Sequence, residues 1–130
     1  MSESIVYVIQ APSQSRDFSS ALKYGKLIFL LENHEKVSML PVKAIGLLRR
    51  KLRNFSKEDF IVWSGGDPLA PILAGIVLGE YAFKEVNYLR WERNKLDNGL
   101  RANTGYYIPG KLILRNINQP TPLYSEDLNS

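Results

Sequence analysis

The sequence predicts an α/β protein: a compact Rossmann-like three-layer sandwich on a mostly parallel sheet of about five strands, ending in an antiparallel hairpin. Three observations carry this. Short apolar runs rich in β-branched and aromatic residues alternate with helical patterns along most of the chain. Phe60-Ile61-Val62-Trp63-Ser64-Gly65-Gly66-Asp67-Pro68 has the form of a strand, a tight turn and a helix start. Two further apolar runs near the C-terminal end flank the turn signals Asp97-Asn98-Gly99 and Asn103-Thr104-Gly105, as a hairpin requires.

Taken in order, Ile5 to Ile9 predicts a buried first strand, closed by Gln10, Ala11 and Pro12. Asp17 is placed to cap a short helix through Ala21, Leu22 and Tyr24, which Gly25 ends in a left-handed position. Lys26 to Leu31 is the second strand, followed by a charged turn from Glu32 to Lys36. Pro41 stands at a first helical position, with Ser38 as a cap upstream. Ile45, Leu48, Leu52 and Phe55 then recur every three or four residues, while Lys43, Arg49, Arg50, Lys51 and Arg53 fall largely on the other side.

Phe60 to Trp63 is the third strand, and Asp67-Pro68 supplies an N-cap and a first-turn proline for a helix to about Tyr81. That helix is apolar on nearly every face, which predicts that the sheet, other elements or a partner chain cover it. Val86 to Trp91 forms the fourth strand. Tyr106 to Ile108 and Lys111 to Leu114 form the fifth, with Pro109-Gly110 marking an edge or a bulge and Glu92 to Gly105 an excursion between the two.

A chain of 130 residues suits one domain, here residues 1–115, followed by an extended or disordered arm over 116–130 that carries Pro120 and Pro122 and few large apolar residues. There is no cysteine, which removes disulfides, thiol nucleophiles and cysteine metal sites. His34, the one histidine, reads as a turn residue, so no multi-histidine metal site and no serine-histidine pair is predicted. No cofactor is expected. Met1 to Ser4 lacks the pattern of a signal peptide, and the longest apolar stretch falls well short of the roughly 20 residues that span a bilayer. A non-membrane, intracellular protein is expected.

Seventeen Lys and Arg against thirteen Asp and Glu give a net charge of +4 and a pI near 9.4, a balance that attracts polyanions. The basic segment Arg49-Arg50-Lys51-Leu52-Arg53, extended by Lys43 and Lys57, contains no acid before Glu58. It suits phosphate contacts as well as it suits a solvated helix face. Arg90-Trp91-Glu92-Arg93, Arg101 and Tyr106-Tyr107 mix aromatic and basic residues, which fits base stacking or an ordinary sheet face packed under a cover. Ser64, Gly65, Gly66 and Asp67 form the turn where a strand meets a helix, the place where α/β sheets collect ligands. Glycines allow close backbone approach and a helix N-terminus favours an anion, yet turn and cap chemistry explains the same residues.

The order of Tyr7-Val8-Ile9-Gln10, Ala21-Leu22-Lys23-Tyr24-Gly25-Lys26-Leu27, Leu47-Leu48-Arg49-Arg50-Lys51-Leu52, Gly66-Asp67-Pro68 and Leu89-Arg90-Trp91-Glu92-Arg93, then Tyr107-Ile108-Pro109, resembles a group of small, functionally uncharacterised α/β proteins of tailed bacteriophages. The chain departs from that pattern in Glu92, where Asp is usual, and in the excursion from Asn94 to Gly105. The resemblance implies a phage origin and expression in the host cytoplasm, with no mechanism attached.

The expectation is therefore a non-catalytic phage accessory protein that binds nucleic acid or a nucleic-acid-handling protein through the basic helix and the hairpin. Its contact residues are Lys43, Arg49, Arg50, Lys51, Arg53, Arg90, Arg93 and Arg101. Two alternatives stand beside it: a small phosphate- or nucleotide-binding protein or enzyme using Ser64 to Asp67, and a homo-oligomeric structural subunit in which another chain completes the apolar helix.

Overall fold

A computed structural model describes residues 3–12, 16–32, 37 and 40–113. Five strands, β1 (Ile5–Gln10), β2 (Lys26–Leu31), β3 (Phe60–Val62), β4 (Glu85–Lys95) and β5 (Arg101–Ile113), form one sheet in the order β2-β1-β3-β4-β5. The first four run parallel, and β5 pairs antiparallel with β4. Two helices, α1 (Pro41–Leu52) and α2 (Leu69–Glu80), make the crossovers into β3 and β4.

Strand alternation divides the core into two clusters. Tyr7, Ile9, Leu30, Ile61 and Val86 meet Ala44, Leu48 and Leu52 of α1 and Ala70, Leu73, Ala74 and Val77 of α2. Val6, Val8, Val62, Leu89 and Tyr107 face the other way and pack with Phe18, Ala21 and Tyr24. Both helices thus share one face, and the crossover from β1 to β2 covers the other. Because β1 leads to β2 on one side and β3 leads to β4 on the other, the strand order reverses between β1 and β3 at their C-terminal ends.

Several expectations are corrected. The predicted helix from Asp17 is only one 3-10 turn, Leu22–Tyr24, and Asp17 accepts instead from the N–H of Ser19 at 2.9 Å. Gly25 is not in the left-handed helical region. Its φ of 156° serves a close approach, since a Cβ there would collide with the Ser4 carbonyl. Pro41 does open α1, but the helix ends at Leu52, and Phe55 reaches the core from the turn beyond it, with its ring 5.5 Å from that of Tyr7. A core-facing turn residue thus mimics helical spacing. Ser38, the turn residues 33–36 with His34, Leu114 and the arm 116–130 lie outside the described residues.

Trp63 leaves β3, which ends at Val62. The hairpin has long arms: β4 runs on to Lys95, and the turn is Asp97-Asn98-Gly99 alone, closed by Leu96 N–H to Leu100 O at 2.7 Å. Asn103-Thr104-Gly105 is strand rather than turn, with Gly105 required because Trp91 lies where its Cβ would go. No bulge marks Pro109. Leu89 pairs with Pro109 and Tyr88 with Gly110 in unbroken register, the irregularity falling between Arg93 and Lys95. The edge position of β5 is what admits the proline.

Candidate functional site

Three places were expected to carry function, and the structure shows the neighbours of each. At the N-terminus of α2, Asp67 acts as the cap. Its Oδ1 accepts from Leu69 N–H at 2.9 Å and its carbonyl from Ala70 N–H at 2.9 Å. Gln10, at the end of β1, fills the adjoining crevice: its Oε1 accepts from Asp67 N–H at 2.8 Å and its Nε2 donates to Glu32 O at 3.0 Å. Gly66, with φ of 104°, is glycine because a Cβ would overlap Gln10. The helix N-terminus that a phosphate would use therefore already holds a carboxylate and an amide.

The basic residues fall into two separate sets. α1 packs against α2 and β2, whereas β4 and β5 lie at the opposite edge of the sheet, so the basic helix and the hairpin do not form one surface. Arg49 grips Glu80 of α2 with both ends of its guanidinium, at 2.9 and 2.7 Å, and this fork holds the Glu80 carboxyl below its usual range. Lys51 donates to Leu30 O at 2.9 Å. In the hairpin, Glu92 bridges Arg90 at 2.6 Å and Arg101 at 3.3 Å, and Arg93 donates to Ala102 O at 2.6 Å. Lys43, Arg50 and Arg53 are exposed and make no ion pair among the described residues. They lie on one stripe of α1, at spacings of seven and three, with Gly46 between Lys43 and Arg50 and nothing within 4 Å of where its Cβ would be. Of the aromatic residues in the hairpin, Trp91 and Tyr107 meet edge to face at 4.9 Å, while Tyr106 is exposed.

One anomaly remains: the Oγ of Ser64, in the turn after β3, is buried without a hydrogen-bond partner. So is the hydroxyl of Tyr107, whose ring stacks on Phe18 at 5.8 Å and 3°. Leaving such hydroxyls unpaired costs about 1 to 3 kcal/mol each. Arg16 stands close by: its Nη2 lies 3.9 Å from the position of a Cβ built on Gly65, and its charge acts on the Tyr107 phenol. Arg16 escaped the sequence reading because it sits in a polar stretch with no periodicity.

Residues 4–97 match the model of a family described as phage Pam3 gp32-like protein. The chain belongs to that family. The matched region holds β1 to β4, α1, the Ser64 to Asp67 turn and Arg16, and ends at the hairpin turn before β5 and Tyr107. As a Pam3 gp32-like protein it is a small phage protein from a family of uncharacterised function. No curated protein and no solved structure matches the chain. Among the described residues, no helix is long and apolar enough to cross a membrane, and no group of acidic or histidine side chains is arranged to hold a metal ion.

Proposed function

We propose that this Pam3 gp32-like protein is a non-catalytic accessory protein of the host cytoplasm that binds nucleic acid along the outer stripe of α1. The observation that supports it is the set Lys43, Arg50 and Arg53, three exposed cations without an ion pair among the described residues, on a helix that contains no acid. The stripe extends about 15 Å at 1.5 Å per residue, enough to follow several phosphates of one strand. Gly46 in its midst leaves room for a sugar-phosphate backbone to come close. Contacts of this kind position a protein without reading sequence, and each adds to the salt dependence of binding. The test is equilibrium binding of single- and double-stranded DNA and RNA over a range of salt. Arg50→Glu with Arg53→Glu should weaken binding at least tenfold, and an unchanged affinity rejects the proposal.

A second reading rests on α2. Ile72 and Ile76 are 59% and 48% exposed, and Gly75 and Gly79 beside them have nothing within 4 Å. A second copy of this chain would cover that face, the glycines letting two such helices approach closely. Light scattering that shows a strict monomer at high concentration removes it. In both readings the fold is taken as Rossmann-like, with the 3-10 turn Leu22–Tyr24 on the face opposite the helices.

A further inference from the structure

We propose that a cleft at the C-terminal ends of β1, β3 and β4 binds one planar heterocycle of the nucleobase class, with Trp63 as its stacking surface and Arg90 at its acceptor edge. The cleft measures about 310 Å³, at the lower end of the range for small-molecule sites, about 300 to 1,000 Å³. Ile9 of β1, Ile61 of β3 and Tyr88 of β4 line it and belong to the core on the helix face. Ile61 and Tyr88 are register partners, so their side chains share that face, and Arg90, two residues further along β4, follows Tyr88 on it. Trp63, just past the end of β3, and Arg90 both line the same cleft. No carboxylate is among the lining residues. The site shares no residue with the stripe of α1, and the nucleic-acid proposal stands or falls without it.

The two tryptophans of the chain differ in how they are used. Trp91 meets Tyr107 edge to face and fills the space beside Gly105, so its ring is committed to the hairpin. Trp63 is 46% exposed and makes no ring contact among the described residues. An indole held at the mouth of an apolar cleft offers a flat ligand a face to stack on. Arg90 is ordered by Glu92, to which Nη1 donates at 2.6 Å, and makes no other hydrogen bond among the described residues. Its remaining N–H groups lie in one plane and suit the ring nitrogens and carbonyl oxygens on the edge of a heterocycle. Because Glu92 offsets the charge of Arg90, the set favours a neutral ring over a free phosphate. The position is beside the reversal of strand order between β1 and β3, where open α/β sheets bind ligands. Gln10 and Asp67 already occupy the N-terminus of α2, so the ligand is held by side chains of the strand ends and not by the helix dipole. A free nucleoside and a base of a single strand present the same chemistry to this cleft.

The experiment titrates the full chain with adenosine and with uridine and, separately, with a short single-stranded oligoadenylate, following the indole signal of Trp63. Saturable binding is expected, weakened about tenfold or more by Trp63→Ala, as the loss of a base-aromatic stack implies, and severalfold by Arg90→Gln. Trp63→Phe keeps an aromatic face and should retain more of the affinity than Trp63→Ala. Arg50→Gln, on α1, should leave nucleoside binding unchanged. Binding of a nucleoside assigns a free heterocycle; binding of the oligonucleotide alone, weakened by Trp63→Ala, assigns a base of a strand, and either supports the site. Absence of saturable nucleoside binding up to about 10 mM, tenfold above a millimolar Kd, together with oligonucleotide binding that is absent or indifferent to Trp63→Ala, overturns it. Nucleoside affinity unchanged by Trp63→Ala also overturns it. Because Trp63 and Arg90 are both exposed, each variant is readable without loss of the fold.

Discussion

The ring of Tyr88 fills the space that a side chain at residue 110 would need, and Gly110 is its register partner on β5. The bare edge strand thus provides a seat for an aromatic residue that packs against the helix-face core. Gly110→Ala should destabilise the fold by about 1 to 3 kcal/mol, the range for forcing extra volume into a packed site. The cost should shrink in a Tyr88→Ala background, because the smaller side chain vacates the space. A double-mutant cycle in urea checks this, and strictly additive effects would contradict it.

Asp59 is a buried carboxylate, and it ties the chain leaving α1 to the first strand. Oδ1 accepts from Ile5 N–H at 2.9 Å, and Oδ2 from Ser56 N–H at 2.8 Å and Ser56 Oγ at 3.2 Å. Asp59→Ala should cost about 3 kcal/mol, since it strands two backbone donors that were bonded to a charge. Asp59→Asn keeps one acceptor oxygen and should cost less. The measurement is the urea midpoint at unchanged slope, and equal losses for the two variants would show that the carboxylate is not acting as a double acceptor.

Much of this architecture was legible in the sequence, for identifiable reasons. The buried strands β1 and β3 announce themselves because they are covered on both faces and read as apolar runs, and β2, half-buried at the edge, reads as one too. The turn and cap at Asp67 were legible because they depend on neighbours in sequence. Gln10 was not, for its two partners, Asp67 and Glu32, lie far along the chain. The same holds for Gly105 and Gly110, which look like turn residues until the rings of Trp91 and Tyr88 are placed over them. The basic residues were all visible, yet which of them remain unpaired depends on Glu80 and Glu92 meeting Arg49, Arg90 and Arg101 across elements or strands.

That partition makes a prediction about neighbouring residues of one helix. Arg49 is held by Glu80, while Arg50 and Arg53 make no ion pair among the described residues. Arg50→Gln and Arg53→Gln should each lower the magnitude of the salt slope of nucleic-acid binding by about 0.9 on a duplex, the share of one phosphate contact. Arg49→Gln should leave the slope nearly unchanged and instead weaken the contact between α1 and α2. Equal slopes for all three variants would mean that the ion pair with Glu80 opens on binding.

Alkaline pH provides a test of the two buried phenols. Burial is the first cause that raises Tyr7 and Tyr107 above the ordinary value of 10.0; Asp59 adds to it at Tyr7, while at Tyr107 Arg16 opposes and Asp17 adds. In both, the neutral form is the one the fold accommodates. A phenol whose folded value lies above its unfolded value contributes stability that is fully present below the unfolded value and is lost as pH rises through the folded one. Stability should therefore hold from neutral pH to about pH 9 and fall beyond about pH 10. A tyrosinate absorbance titration should show a late fraction that shrinks in Tyr107→Phe, and the same variant should lose less stability on going to high pH than the parent does. If the late fraction persists unchanged in Tyr107→Phe, the Tyr107 hydroxyl is open to solvent, and its burial without a hydrogen-bond partner would have to be abandoned.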